Sequence, residues 1–278
     1  MSKILKKTEL VPGIFEYEVQ TSEIAAKARP GHFVMVMAEE QGERIPLTIA
    51  DSDADAETIT LVMMVVGTST LKLSKLEQGE HFFALLGPLG TPSHIENFGS
   101  VLMVAGGVGA APVYPIAKRL KAVGNRVITI HGARSANLFF WEEKLKSVSD
   151  EYIVTTDDGS KGTKGVVTEP LKTILERNKG IRCVFAIGPT IMMKFCSEAT
   201  RPFSVKTIVS LNNIMIDGTG MCGGCRVKVG SETLFTCADG PEFDGHMVDW
   251  NTALARGKIY AEQERCSYNR YVLEAKKQ

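Results

Sequence analysis

The hydrophobic pattern of this 278-residue chain changes near residue 98, and that change limits the possible folds more than any other feature. Beyond it, short and continuously apolar runs alternate with segments of helical pattern. The runs cover residues 101–105, 127–131, 152–156 and 184–187, with a fifth at 205–209. Continuous apolar runs are typical of parallel strands buried on both faces, and their alternation with helices indicates a doubly wound α/β domain with a parallel sheet.

Before residue 98 the pattern is different. Short β-rich runs at residues 14–19, 32–37, 58–66 and 81–86 are separated by turn signals, without helical periodicity between them. This spacing predicts a small antiparallel β-barrel. A prior of about 150 residues per domain favours two domains in a chain of this length. We therefore expect a barrel over residues 1–97, an α/β domain over 98–210, and a small glycine-rich segment with a polar, loosely packed helical tail over 211–278.

Charge and local composition exclude several classes of protein. Lysine plus arginine and aspartate plus glutamate both number 32, which argues against a nucleic-acid or anionic-membrane binder. Residues 1–9 carry no apolar run, so no signal peptide is expected. The uncharged stretch over 97–117 is broken by glycines and prolines, which is unfavourable in lipid. We predict a cytoplasmic, soluble protein with no nucleic-acid or membrane partner.

Three of the six cysteines lie within sixteen residues of one another: Cys222, Cys225 and Cys237. Six cysteines are too few for a disulfide scaffold in a chain of this size, so we interpret the cluster first as a metal or redox site. A predicted hairpin (226–229 and 233–235) carries the chain from the CxxC pair back to the third thiol. Neighbouring glycines let backbone amides approach and hydrogen-bond the sulfurs, as iron–sulfur clusters require.

Three thiolates need a fourth ligand. The plant-type 2Fe–2S pattern has a cysteine five positions before the CxxC pair, and Asp217 occupies that position here. The hypothesis is a 2Fe–2S cluster bound by Asp217, Cys222, Cys225 and Cys237. A structural zinc site with the same residues, a structural thiol pair, and Cys266 as the fourth ligand remain alternatives.

A glycine-rich turn follows the first predicted parallel strand. Glycines there allow a pyrophosphate to approach the N-terminus of the next helix, where free amides favour an anion. Side chains after other strands lie at the same edge of the sheet, where α/β folds bind ligands. The predicted nucleotide site consists of Gly106, Gly107, Val108, Gly109, Ala110, Pro112, Arg134, Asp157, Gly188 and Pro189. Turn formation alone would explain several of these residues.

Two motifs stand out in the barrel half of the chain. They are Pro46, Leu47, Thr48 and Ile49 (PLTI), and Gly67, Ser69 and Thr70 within the sequence GTST. Hydroxyls and loop amides at the second motif are suited to hold a phosphate, although turn chemistry accounts for the same residues.

Together these motifs, with GPLG at 87–90, AGGVGAAP at 105–112 and IGP at 187–189, resemble the ferredoxin-NADP reductase superfamily. With the cysteine segment added, the chain is similar to electron-transfer subunits of dihydroorotate dehydrogenase. Residues 211–225 and 237–246 resemble the small subunits of NADH-dependent reduced ferredoxin:NADP+ oxidoreductases more closely. Asp217 favours this second group, because the dihydroorotate relatives have a cysteine there.

The resemblance implies FAD on the barrel, NAD(H) on the α/β domain and a 2Fe–2S cluster in the C-terminal segment. Arg44, one position before the place of the family's arginine, is an implied FAD phosphate ligand. It also implies that NADH gives a hydride to FAD and that single electrons then pass through the cluster to a larger partner subunit. In the family that the chain resembles, this partner carries a second flavin and further iron–sulfur clusters, so the resemblance also implies an indirect link to ferredoxin by electron bifurcation. No catalytic acid–base residue is expected.

Two other functions stay open at this stage. The first is delivery of electrons to the catalytic subunit of an NAD-dependent dihydroorotate dehydrogenase. The second, from a different class, is a zinc-stabilised nucleotide-binding adaptor without redox activity.

Overall fold

The computed structural model describes residues 2–275. Its N-terminal half contains six strands and two short helices: β1 (Lys3–Val11), β2 (Ile14–Gln20), α1 (Ser22–Lys27), β3 (Phe33–Met37), β4 (Ile45–Asp53), β5 (Thr58–Met64), α2 (Thr68–Leu73) and β6 (Ala84–Leu89). The strands form one antiparallel sheet in the order β1-β2-β5-β4-β3-β6. A bridge between Lys3 and His81 brings the two ends of this sheet together, so the predicted barrel is confirmed.

Alternation of side chains builds the core of the barrel. In β5, Ile59, Leu61 and Met63 are buried, as expected when every second residue of a strand points inward. The buried Tyr17 donates from its hydroxyl to the carbonyl of Leu73 at 3.0 Å. This bond fixes the end of α2 to the barrel wall.

The second half contains a parallel sheet flanked by helices. Its elements are β7 (Ser100–Gly106), α3 (Ala110–Ala122), β8 (Arg126–Ala133), α4 (Glu142–Ser147), β9 (Glu151–Thr156), β10 (Thr163–Lys164), α5 (Thr168–Arg177), β11 (Ile181–Ile187), α6 (Thr190–Thr200) and β12 (Lys206–Ser210). The parallel strand order is β10-β9-β8-β7-β11-β12. A hydrophobic cluster that includes helix side chains packs on each face of this sheet. The doubly wound domain and its five predicted strands are confirmed.

The helix after β7 begins earlier than its pattern suggested. The sequence predicts a helix from residue 115, whereas α3 starts at Ala110. Pro112 lies in the first turn, where a missing N–H costs no helical hydrogen bond. Pro115 lies deeper and removes one such bond, but its ring is buried in the core of the domain.

The C-terminal part contains β13 (Arg226–Val229), β14 (Glu232–Phe235), β15 (Glu242–Asp244), α7 (Trp250–Arg256) and α8 (Ala261–Ala275). The hairpin β13–β14 is confirmed. The tail is less loose than expected, because α7 buries Trp250 and Ala253 against the α/β core. The division at residues 97 and 210 stays a proposal, and β15 from the third segment pairs antiparallel with β12 as the seventh strand of the α/β sheet.

The cysteine segment contacts both halves of the protein. Met215, Cys225 and Cys237 form a small buried cluster with Phe33 and Met35 of the barrel strand β3. The backbone N–H of residue 91, just after β6, also donates to the carbonyl of residue 240 at 2.6 Å. Over residues 2–275, no helix is both long enough and apolar enough to cross a bilayer.

Candidate cofactor sites

A single cavity of about 2330 Å³ runs between the barrel and the α/β domain. Most of the residues predicted for the flavin and nucleotide sites line it. They are Arg44, Pro46, Leu47, Thr48, Gly67, Ser69, Thr70, Gly106, Gly107, Val108, Gly109, Pro112, Arg134, Asp157, Gly188 and Pro189. The fold thus brings together two sets of residues that lie more than thirty positions apart in the chain. Their assignment to FAD and NAD(H) stays a prediction.

Two predicted residues do not line the cavity. Ile49 points into the barrel core, because it alternates along β4 with Thr48, which faces the cavity. Ala110 is fully buried at the start of α3, where it packs into the α/β core. Both residues therefore lie behind the lining of the cavity, in the hydrophobic cores that support it.

The GTST loop holds its own shape through Thr70. The Thr70 hydroxyl accepts the backbone N–H groups of Val66 and Gly67 at 2.9 and 3.0 Å. It also donates to the carbonyl of Gly67, so this side chain acts within the turn. Ser69 donates from its hydroxyl to Glu43 at 2.8 Å. The hydroxyls of Ser69 and Thr70 thus already have partners within the protein, although both residues line the cavity.

The turn after β7 has two glycines with distinct structural needs. Gly107 has a φ of +54°, a left-handed conformation that favours glycine. At Gly109 a Cβ atom would lie 2.2 Å from the carbonyl oxygen of Ile187. The turn is thereby pressed against the end of β11, next to Gly188. The first-turn N–H groups of the thirteen-residue α3 then point toward the cavity end of the sheet, which suits an anionic group.

Arg134 and Asp157 meet at the ends of β8 and β9. The backbone N–H of Asp157 donates to the carbonyl of Ala133, and that of Asp158 donates to the carbonyl of Arg134, both at 3.2 Å. A guanidinium and a carboxylate therefore line the same end of the cavity. An acidic side chain here suits a ribose diol, and an arginine suits a 2′-phosphate.

The cysteine segment brings two of the predicted ligands into contact. The Sγ atoms of Cys225 and Cys237 are 3.2 Å apart, and both residues are buried. Backbone N–H groups point at the sulfurs: that of Cys237 donates to Cys225 Sγ, and that of Gly224 donates to Cys222 Sγ, both at 3.4 Å. Burial, together with the neighbouring Cys225 sulfur, raises the pKa of Cys237 to about 12. A thiol pair with amide donors is chemically suited to a cationic metal centre, which would remove these protons.

Asp217 has a different environment. Its two carboxylate oxygens accept the backbone N–H groups of Thr219 at 2.7 Å and of Cys222 at 2.6 Å. These bonds, that from Thr219 first, hold the pKa of Asp217 below its ordinary value. Among residues 2–275, no three histidine, cysteine, aspartate or glutamate side chains converge as they would around one metal ion. The four-ligand set therefore stays a prediction, with Asp217 shaping the loop that carries Cys222.

The sequence interpretation missed several parts of the cavity wall, and one of them is the C-terminal helix. Tyr260, Gln263, Glu264 and Ser267, at the start of α8 and just before it, line the cavity with the barrel residues. Their spacing would have placed them on one face of a helix. The polar composition of the tail gave no signal that this face meets the cavity.

Two family models match the chain. Residues 103–198 match the oxidoreductase NAD-binding domain. Residues 212–249 match the iron-sulfur cluster binding domain of dihydroorotate dehydrogenase B. The second match contains all four predicted cluster ligands.

Relatives with named functions match over most of the chain. A Thermotoga maritima protein described as a homolog of the dihydroorotate dehydrogenase B (NAD(+)) electron transfer subunit is 46% identical, covering 99% of this chain and 97% of its own. The electron transfer subunit of Desulforamulus reducens dihydroorotate dehydrogenase B is 31% identical, covering 90% of this chain and 97% of its own.

Solved structures give the same result for the fold. A chain from the NADH-dependent reduced ferredoxin-NADP oxidoreductase, described in relation to flavin-based electron bifurcation, is 45% identical with a TM-score of 0.93, and 98% of each chain is covered. The cytochrome P450 reductase of Amycolatopsis is 17% identical with a TM-score of 0.61, covering 73% of this chain and 65% of its own. This second likeness concerns the barrel and α/β fold alone.

Proposed function

The chain belongs to the family of dihydroorotate dehydrogenase B electron-transfer subunits and their homologues, and we propose that it is an oxidoreductase subunit that passes electrons between NAD(H) and a larger partner subunit. The cofactors of this function are FAD and a 2Fe–2S cluster. We further propose that it works within a bifurcating NADH-dependent ferredoxin:NADP+ oxidoreductase, as the solved relative does. The expected location is the cytoplasm.

The observation that carries the proposal is the shared cavity. Thr48 and Gly67 of the barrel line the same space as Gly107 and Gly188 of the α/β domain. Two nucleotide cofactors bound to these walls would meet between the domains. The volume of the cavity also exceeds that of a site for one drug-sized ligand, about 300–1,000 Å³. Hydride transfer needs orientation of the reacting rings more than acid–base side chains.

The residues of the chain have distinct parts in this proposal. FAD would supply a centre that accepts a hydride and releases single electrons, and the cluster would supply a one-electron carrier. The loops after β7 and β11 hold and orient the nicotinamide cofactor. Cys222, Cys225, Cys237 and Asp217 hold the cluster, and the amides of Gly224 and Cys237 stabilise its sulfur ligands.

One alternative within the family has a specific observation in its favour. The C-terminal segment matches the iron-sulfur model of dihydroorotate dehydrogenase B, and several relatives carry that enzyme's name. In that case the partner would be a dihydroorotate-oxidising subunit. The NAD(H) site and the cluster would then serve electron transfer in the opposite direction, from the partner's substrate to NAD(+), so both the partner and the direction would differ.

The test is anaerobic purification of the full chain together with its native partner, followed by cofactor analysis. We expect releasable FAD, about two irons per chain as a 2Fe–2S cluster requires, and bleaching of the visible absorption by NADH rather than NADPH. A partner that carries flavin and further iron–sulfur clusters supports the bifurcating complex. A dihydroorotate-oxidising partner would overturn that choice, and a colourless zinc protein would overturn the redox function itself.

A further inference from the structure

The C-terminal helix α8 returns from the cysteine segment to the barrel. After α7, which packs on the α/β core, the chain crosses to α2. Residues 260, 263, 264, 267 and 271 follow a spacing of three and four, so they occupy one face of the helix. This face, which we call the inner face of α8, carries the residues that line the cavity or contact α2 and the residues after it, and the neighbouring Tyr268 and Val272 are also half-buried.

Polar contacts attach the inner face to α2 and the residues after it. The hydroxyls of Thr68 and Ser267 are 3.1 Å apart. Lys75 donates from Nζ to the Tyr271 hydroxyl at 3.0 Å. The ammonium groups of Lys72 and Lys75 also lie 5.3 and 4.6 Å from the centre of the Tyr271 ring, within the range of cation–π attraction. Tyr271 is thus the main anchor of the helix.

Apolar burial contributes little to this attachment. Most α8 side chains are exposed, including Arg265 and Asn269 on the outer face, and Leu273 is 61% exposed. A helix held by a few surface polar contacts undocks readily, because each such contact is weak in water. Its docked position therefore depends on what lies between its inner face and the barrel.

The cavity lies between the inner face of α8 and the barrel. Tyr260, Gln263, Glu264 and Ser267 line it together with Arg44 and residues 67–70 of the barrel. The charge of Glu264 argues against a phosphate next to it, because like charges repel. A carboxylate and an amide are suited instead to hydroxyl groups, which donate to both.

We propose that α8 is a clasp over bound FAD, with Gln263 and Glu264 hydrogen-bonding the sugar hydroxyls of the cofactor and Tyr271 holding the clasp closed. This inference rests on the proposed function, since it assigns the ligand of the barrel half of the cavity as FAD. It adds that cofactor release requires α8 to leave α2. FAD binding and helix docking then stabilise each other, by the linkage that applies to any ligand bound by one state of a protein.

The test measures FAD release from the full chain by the rise in flavin fluorescence after dilution. Tyr271→Ala removes the hydrogen bond and both cation–π contacts, and we expect release to be roughly tenfold faster. Glu264→Ala should also accelerate release, without moving the helix anchor. Asn269→Ala, on the outer face of the same helix, is the matched control and should release FAD at the wild-type rate.

A second measurement follows the helix itself. Trypsin can cut after Arg265 and Arg270 in α8, and FAD should slow these cuts in the wild type but much less in Tyr271→Ala. Wild-type rates of release and cleavage in Tyr271→Ala and Glu264→Ala would overturn the clasp. A wild-type chain that binds no FAD would instead overturn the proposed flavin site, so the two failures are distinguishable.

Discussion

The indole N–H of Trp141 donates a 2.7 Å hydrogen bond to the carboxylate of Glu16, and this bond joins the α/β domain to the barrel. The ammonium group of Lys144 lies 3.5 Å from the same carboxylate and 3.9 Å from the centre of the indole ring. Trp141 itself has a φ of +57°, an unfavourable conformation for a bulky residue. The interface contacts outweigh that local strain.

We expect Trp141→Phe to lower the free energy of unfolding by about 1.5–3 kcal/mol, because it removes a hydrogen bond to a charged acceptor. Trp250→Phe is the matched control. Trp250 is equally buried and donates to the neutral carbonyl of Gly245 at 2.9 Å, so its loss should cost about 0.5–1.5 kcal/mol. Urea unfolding measures both. Equal losses of unfolding free energy in the two variants would show that the bond to Glu16 stabilises the protein no more than the bond to the Gly245 carbonyl does.

Asp217→Ala should lower the iron content of the purified protein while leaving the reduction of flavin by NADH intact. The change removes a predicted ligand and the acceptor of two backbone N–H groups in the cysteine loop. Asp239→Ala is a close control, since Asp239 accepts the N–H of Phe235 at 2.6 Å but is not a predicted ligand. Colorimetric iron analysis gives the answer, and an unchanged iron content in Asp217→Ala would mean that another residue is the fourth ligand.

Glu242 makes stability depend on pH. Burial raises its pKa to about 7, although the Ser93 hydroxyl donates to it at 2.6 Å. A carboxyl with a raised pKa in the folded state binds its proton more tightly there than in the unfolded chain. Stability from this group is therefore lost as the pH rises from the ordinary glutamate value to about 7.

Glu242→Gln should therefore gain melting temperature relative to the wild type at pH 8, and gain less at pH 5. His94, Lys206 and Asp244 line the small cavity beside Glu242 and are unchanged in the variant. Glu143→Gln controls for the substitution, because that side chain is 88% exposed. Thermal melts at both pH values test this, and an equal gain at pH 5 and pH 8 would contradict it.

Gly109→Ala should destabilise the protein by about 1–3 kcal/mol and weaken NADH binding, because the new Cβ would collide with the Ile187 carbonyl. The two loops on the nucleotide side of the cavity would have to separate. Gly257→Ala is the control, since its Cβ would meet no atom closer than 3.6 Å and its φ is −64°. Calorimetric titration with NADH and thermal melts provide the readout. Wild-type NADH affinity in Gly109→Ala would show that this loop does not shape the nucleotide site.

The α/β half was predictable because its strands are buried on both faces and so appear as unbroken apolar runs. In the barrel, β1 was not predicted, because lysines and glutamate interrupt its pattern along Lys3–Val11. The helices α1 and α2 have six residues each, too few for a recognisable period. Strand β15 has three residues and exists only through its pairing with β12.

The sites divide in the same way. Most residues predicted from glycine turns and hydroxyl motifs do line the cavity, because backbone approach and local turns are encoded in neighbouring residues. The position of Ile49 in the core depended on strand register, which one motif does not specify. The contribution of α8 depended on a tertiary contact with α2, across nearly two hundred residues of chain.

The cysteine segment connects the two halves of the protein by contacting both of them. It adds β15 to the α/β sheet and also presses Met215, Cys225 and Cys237 against β3 of the barrel. Rotation of one half against the other would break either the strand pairing or this buried contact. Among residues 2–275, this pairing and this buried contact restrain a hinge motion between the two halves, so we expect nucleotides to enter and leave through the mouth of the cavity.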